Sequence, residues 1–296
     1  MFINEKDIKE ALLSNNIPFE NIEYISIGAM TDKFAYISNG KKFIARCYPE
    51  NRSYLAEAEM GYLQAFRDKG ILCPKPIQCI NVGQYQCLIY EYLEGKMLSD
   101  VYPTMNKEQR DVICREIADN YNRISEIPCN GYGRMIGFGQ FSHQSKQEFV
   151  TEVQHKAEDW LANHPNVNLW AKDIICKFKE EAKENIADNP VLVWSDLSKD
   201  NIILNKDGHL AGFVDFEGLM SADANLGIGY LQARENNSDF AKRLISQMSK
   251  KDIGKIDYYA KQRYLCILPY SHLSMPNGEP RQNLNEYLPY LKTICI

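Results

Sequence analysis

Three absences narrow the reading of this 296-residue chain. It has no long hydrophobic run. Uncharged stretches such as 71–74 and 265–272 fall far short of the ~20 apolar residues that cross a bilayer. Met1 to Asn4 leads at once into Glu5, Lys6 and Asp7, with no secretory apolar region. It has no excess of positive charge: 34 Lys and Arg against 39 Asp and Glu give a net charge of −5, and neutralising nucleic-acid phosphates requires the opposite balance. It also lacks cysteine motifs. The nine cysteines are scattered, none forms a C-x-x-C pair, and the five histidines do not fall beside them at metal-ligand spacing. Together these absences predict a soluble, cytoplasmic protein with free thiols, a monomer or weak homodimer that engages neither nucleic acid nor membrane.

What is present is the composition of a folded protein, 45% hydrophobic and 25% charged, long enough for one large domain or two small ones. Asn4 caps a helix whose Ile8, Ala11 and Leu12 share a face, and Asn16 and Pro18 end it. β-rich runs follow at 22–27 and 34–38, the second turning through Asn39-Gly40, a strong hairpin signal, into 41–47. Residues 53–69 read as a helix closed by Gly70, and 79–82 and 86–92 as strands joined around Gly83. After Glu94-Gly95 the character changes. Asn106 and Gln109 form a capping-box pattern for a helix to about residue 126. Two further helices are expected at 145–163 and 168–187, and short strands at 191–194, 202–204 and 210–215. Helices broken by Pro269, Pro276 and Pro280 complete the chain. The expected fold is α+β: an N-terminal lobe with an antiparallel sheet over 1–93 and a larger, mainly helical lobe over 94–296, with ligands bound between them.

The chemistry concentrates in Trp194-Ser195-Asp196-Leu197-Ser198-Lys199-Asp200-Asn201 and in Val214-Asp215-Phe216-Glu217, both set among apolar strands. The spacing Asp196-x-x-x-x-Asn201 is that of a kinase catalytic loop, in which the Asp accepts the proton of the attacking hydroxyl and the Asn turns back onto a metal. Asp215, at the end of a short strand, suits a second metal ligand. Mg²⁺ binds through few carboxylates plus substrate phosphates, and transfer spreads negative charge over several oxygens. Asp and Asn taken singly are also turn formers. The joint pattern of strand, Asp, Asn, strand, turn, strand and Asp-Phe-Glu points to phosphoryl transfer.

These motifs resemble the aminoglycoside phosphotransferase and choline kinase superfamily of small-molecule kinases. The family's H-G-D-L-x-x-x-N is similar to the run from Trp194 to Asn201, and its I-D-F/W-E to Val214-Asp215-Phe216-Glu217. Upstream, residues 28–36 resemble its nucleotide loop and second strand, Phe43-Ile44-Ala45-Arg46 its third strand, and 90–98 its hinge and following turn; the likeness runs in order from about residue 20 to about 235. It implies a bilobal protein-kinase-like fold, ATP (or GTP) and Mg²⁺ as cofactors, and a small-molecule hydroxyl acceptor. It further implies Asp196 as the catalytic residue and Asn201 and Asp215 as metal ligands. Arg46, where many relatives carry Lys, would hold the α- and β-phosphates, with Gly28 and Thr31 in the nucleotide loop and Glu91 and Tyr92 meeting adenine through their backbone. The glutamate expected to pair with Arg46 is Glu59, at the edge of the apolar face marked by Leu63 and Phe66, with Glu57 as the alternative. Trp194 stands where relatives carry His and is expected to brace the loop from behind. Asp223 is read either as a second brace for that loop or as a helix N-terminal carboxylate.

The acceptor remains open among three readings. An aminoglycoside or related antibiotic comes first. Residues 146–190, with nine acidic against six basic side chains, lean toward a cationic acceptor, whereas 235–296, with six against nine, run the other way. Choline or another metabolic alcohol comes second, with Tyr258, Tyr259, Tyr264, Tyr270, Tyr287 and Tyr290 available for an aromatic cage. A sugar or other hydroxyl comes third. The competing class, outside all three, is a catalytically inactive, nucleotide-binding pseudokinase.

Overall fold

A computed structural model describes residues 2–26, 30–163, 169–235 and 238–267. Its elements are, in order, α1 (Glu5–Ser14), β1 (Glu20–Ile25), β2 (Asp32–Ser38), β3 (Lys41–Tyr48), α2 (Tyr54–Asp68), β4 (Pro76–Val82), β5 (Tyr85–Glu91), β6 (Lys96–Met97), α3 (Leu98–Val101) and α4 (Lys107–Ile124). There follow β7 (Tyr132–Gly137), β8 (Gln140–His143), α5 (Lys146–Asn163), α6 (Leu169–Asn185), β9 (Val191–Trp194), β10 (Ile202–Leu204), β11 (Leu210–Phe213), β12 (Leu219–Ala222), α7 (Leu226–Arg234), α8 (Asp239–Gln247) and α9 (Ile253–Ile267). Two compact units emerge. One comprises Met1–Pro103, Met135–Gln140 and Lys199–Glu217; the other comprises Thr104–Arg134, Phe141–Ser198 and Gly218–Ile296. The sequence suggests a single division near residue 93, whereas these units are discontinuous: β10 pairs with both β6 and β11 and so draws 199–217 into the first unit.

The first unit is built on a five-stranded antiparallel sheet in the order β1-β2-β3-β5-β4. Asn39 and Gly40 both adopt positive φ (50° and 74°) and close the β2–β3 hairpin, so Ser38 faces Lys41 and, counting back, Lys33 faces Arg46. Asn4 caps α1 reciprocally with Asp7, at 3.0 and 3.2 Å. Ile8, Ala11 and Leu12 of α1 join Phe34, Tyr36, Ala45, Cys47, Val82 and Ile89 in one core. Because side chains alternate along a strand, Arg46 points to the opposite face from Ala45 and Cys47. There α2 packs against β3, β4 and β5. The buried stripe of α2 is Leu55, Ala58, Tyr62, Leu63 and Phe66, with one charged member, Glu59.

In the second unit, Asn106 and Gln109 form the expected reciprocal cap of α4, each hydrogen bond 2.9 Å long. Its core joins Phe149, Val153 and Ala157 of α5, Ile175, Phe178 and Ala182 of α6, Val193 of β9, and Tyr230, Tyr258 and Tyr259 of α7 and α9. Trp194 ends β9 opposite Leu219 of β12 and is completely buried. Helix α7 reaches the end of β9 through Gly227, where a Cβ would lie 2.6 Å from the Trp194 carbonyl oxygen.

Several sequence expectations change. Cys47 and Cys87, expected as free thiols, are disulfide-bonded across β3 and β5 with Cα atoms 4.0 Å apart. They sit directly opposite in the ladder at a sequence separation of 40, which spacing rules do not detect. The strand expected over 210–215 stops at Phe213. The hairpin β7–β8 and the strands β6 and β12 were not anticipated; three of these four strands have two to four residues, too few to show periodicity. Pro269, Pro276 and Pro280 lie outside the described residues. No helix among the described residues is long and apolar enough to cross a membrane. The burial of Trp194 sets a first test. Trp194→Ala should lower unfolding free energy by about 3–5 kcal/mol through the cavity it leaves, with a smaller loss for Trp194→His, measured by denaturant titration.

Candidate nucleotide and catalytic site

In the first unit the site is organised by Arg46, whose side chain is 1% exposed. Nε donates to Thr31 Oγ1 at 3.3 Å, and Nη1 donates to both carboxylate oxygens of Glu59 at 3.0 and 3.2 Å. Nη2 donates to Asp215 Oδ1 at 2.5 Å and lies 3.1 Å from Glu217 Oε2. Tyr48 donates its hydroxyl to Glu59 and sets its ring 5.2 Å from the guanidinium carbon. Burial alone would lower the Arg46 pKa, but Asp215 and Glu59 outweigh it and hold the guanidinium firmly charged. The partner of Arg46 on α2 is thus Glu59; Glu57 is exposed and accepts from Gln86 at 3.5 Å.

Asp215 follows the end of β11 with φ 69°, a left-handed backbone that L-residues adopt only at a cost. Burial pushes its carboxyl up, yet Arg46 and Lys33 prevail and keep it below its ordinary value. Lys33 Nζ approaches Oδ2 at 3.4 Å. The β10–β11 hairpin extends by one more bond, from Val214 N to the Asn201 carbonyl at 3.0 Å, so Asn201 and Asp215 flank its open end. Glu217 adds a second carboxylate, raised by burial against the pull of Arg46. Its buried Oε2 accepts no hydrogen bond, although Arg46 and Arg52 lie within 3.1 and 3.4 Å.

Asp196 belongs to the second unit, on the turn after β9, with its carboxylate 37% exposed and paired with Arg234 at the end of α7. Ser195 fastens that turn: its N–H and hydroxyl donate to the Gly218 carbonyl at 3.0 and 2.7 Å. A Cβ on Gly218 would lie 2.9 Å from the Asp196 Cβ, so only glycine admits this approach. Asp223 sits before α7, where it accepts from Asn225 and pairs with Lys255 at 2.5 Å. That is the helix N-terminal alternative.

The remaining sequence candidates are distributed as follows. Thr31 is buried and turned to Arg46. The amides of Glu91 and Tyr92 donate to the carbonyls of Lys75 and Lys42 at 2.9 and 3.0 Å. Gly28 lies outside the described residues. Lys33, which approaches Asp215, is not among the sequence candidates, although the Asn39-Gly40 turn already sets it opposite Arg46. An open depression of about 710 Å³ beside α5, lined by His143, Glu148, Glu152, His155 and Asp159 among others, includes none of the segments carrying Asp196, Asn201 or Asp215.

A family described as phosphotransferase enzymes matches residues 21–244. The chain belongs to that family. No curated protein matches it in sequence. Among solved structures, this phosphotransferase is similar to a thermostable mutant of aminoglycoside phosphotransferase APH(4)-Ia in ternary complex with ADP and hygromycin B. That match has 11% identity, covers 97% of this chain and 95% of that one, and has a TM-score of 0.69. It is similar also to the GDP complex of aminoglycoside 2'-phosphotransferase-IIIa, with 15% identity, 99% and 98% coverage and a TM-score of 0.69. ADP-bound APH(2'')-Ib matches with 13% identity, 99% and 97% coverage and a TM-score of 0.60. These likenesses establish the kinase-like fold, and the family match establishes a phosphotransferase enzyme.

The buried ion network yields a second test. Arg46→Met should cost about 3–5 kcal/mol of stability, because it strands the Glu59 carboxylate without its counter-charge. Urea unfolding of Arg46→Met and of the Arg46→Met/Glu59→Gln double variant checks this, the double variant recovering part of the loss.

Proposed function

We propose that this phosphotransferase moves the γ-phosphoryl group of ATP, or GTP, to a hydroxyl of a small molecule. The observation that supports this reading most is Asp215: a carboxylate on left-handed backbone, held anionic by two cations, at the mouth of a hairpin whose other arm begins at Asn201. In the reaction the acceptor oxygen would bond to the γ-phosphorus, the bond to the β-phosphate oxygen would break, and ADP would leave. Asp196 would take the hydroxyl proton or align it for attack. Asn201 and Asp215 would hold Mg²⁺. No group of three or more His, Cys, Asp or Glu among the described residues could hold a metal ion. An ion held by Asn201 and Asp215 would be completed by nucleotide phosphates, whose negative charge it would draw off during transfer.

For the acceptor we propose an aminoglycoside or related antibiotic, in keeping with the similar protein that is complexed with hygromycin B and the acidic lean of 146–190. Of the tyrosines read as a cage for choline, Tyr258 and Tyr259 are buried in the core, while Tyr270, Tyr287 and Tyr290 lie outside the described residues.

A panel of aminoglycosides, choline and sugars, followed by coupled detection of ADP, tests the acceptor. A panel in which no member accelerates ADP release would favour the inactive alternative. Asp196→Ala should reduce turnover by ~10²–10⁴-fold while ATP affinity persists, since positioned acid–base groups contribute that much. Turnover within tenfold of wild type would remove Asp196 from the mechanism. Asp215→Asn should raise the Mg²⁺ concentration needed for half-maximal rate and depress the rate severely; a metal titration reads both.

A further inference from the structure

The nucleotide reading has so far given the phosphates to Arg46, but the geometry points elsewhere. Every nitrogen of Arg46 is engaged within the protein, by Thr31, Glu59 and Asp215, and the side chain is almost inaccessible. A phosphate oxygen that took the Nη1 donors would strand the buried Glu59 carboxylate, one that took the Nη2 donor would release Asp215, and Nε faces the buried Thr31 hydroxyl; each is a costly exchange.

Lys33 is placed differently. The β2–β3 register sets it directly across from Arg46 and on the same face of the sheet. Like charges opposed on neighbouring strands are destabilising on their own; here a single carboxylate, Asp215, stands against both, Oδ1 toward Arg46 and Oδ2 toward Lys33. The side chain of Lys33 is 17% exposed, and the contact of its ammonium with Oδ2 is long at 3.4 Å. A lysine carries three donors on a flexible four-carbon stem. It can therefore leave Oδ2 for a phosphate oxygen while Asp215 stays anchored through Oδ1. The move also releases the oxygen that a divalent cation would need.

We infer that Lys33 is the side chain that contacts the nucleotide phosphates directly, and that Arg46 is a buried strut that positions Asp215. This assignment rests on the nucleotide-binding reading above. The test is isothermal titration of the full chain with two probes, Mg²⁺–ATP and adenosine, which lacks phosphates. Lys33→Met should weaken Mg²⁺–ATP binding at least tenfold, leave adenosine affinity within twofold, and leave the melting temperature unchanged. Lys33→Arg should restore most of the Mg²⁺–ATP affinity. An unchanged ratio of ATP to adenosine affinity in Lys33→Met overturns the assignment alone. A wild-type chain that binds neither probe overturns the nucleotide reading, and the assignment with it.

Discussion

The first unit depends on a charge that has been taken out of water. A guanidinium as buried as that of Arg46 is tolerable only when its donors are met and its charge is balanced. That requirement accounts for features that otherwise look unrelated. It explains a glutamate within the apolar stripe of α2, a tyrosine hydroxyl turned onto that glutamate, and a buried threonine just before the first strand of the hairpin. It also ties β3 to the segment after β11, because one guanidinium holds Glu59 with one nitrogen and Asp215 with another. Packing of α2 and placement of the Asp215 carboxylate are thereby a single problem with one solution.

Around that strut the charges are matched. Lys33, Arg46 and Arg52 stand against Glu59, Asp215 and Glu217. The exposed side of the cluster holds its partners more loosely than the buried side. Arg46 to Glu59 is a double hydrogen bond between side chains 1% and 2% exposed, whereas Lys33 to Asp215 is a single long contact at the accessible edge. An arrangement rigid behind and exchangeable in front would let the exposed side receive the proposed phosphates and cation without unfolding its own support.

The second unit treats its acidic residue in another way. Asp196 is not buried; it is held by the backbone around it, through Ser195 on the Gly218 carbonyl, and by Arg234 from a helix seated close against β9 at Gly227. The buried indole of Trp194 lies immediately before that turn, where the family pattern carries histidine. The indole fills that space, and Ser195 fastens the turn that follows to the Gly218 carbonyl.

Much of this was legible in one sequence. Asn4 and Asn106 announce their helices because capping is local chemistry, and Asn39-Gly40 announces its hairpin because only such residues accept two positive φ values in succession. The candidate catalytic motif is legible for the same reason: Asp196, Asn201 and Asp215 lie close in the chain, and their spacing reflects one loop and one hairpin. The sequence by itself therefore determined the sheet-then-helix order, the family likeness and the candidates for chemistry. Only tertiary structure decided what depends on residues far apart in the chain. It selected Glu59 over Glu57, joined Cys47 to Cys87, inserted 199–217 beside β6, and showed that Arg46 spends its donors on its neighbours while Lys33 stays within reach of solvent. Those outcomes turn on burial and on which strands lie side by side, and neither is written in local spacing.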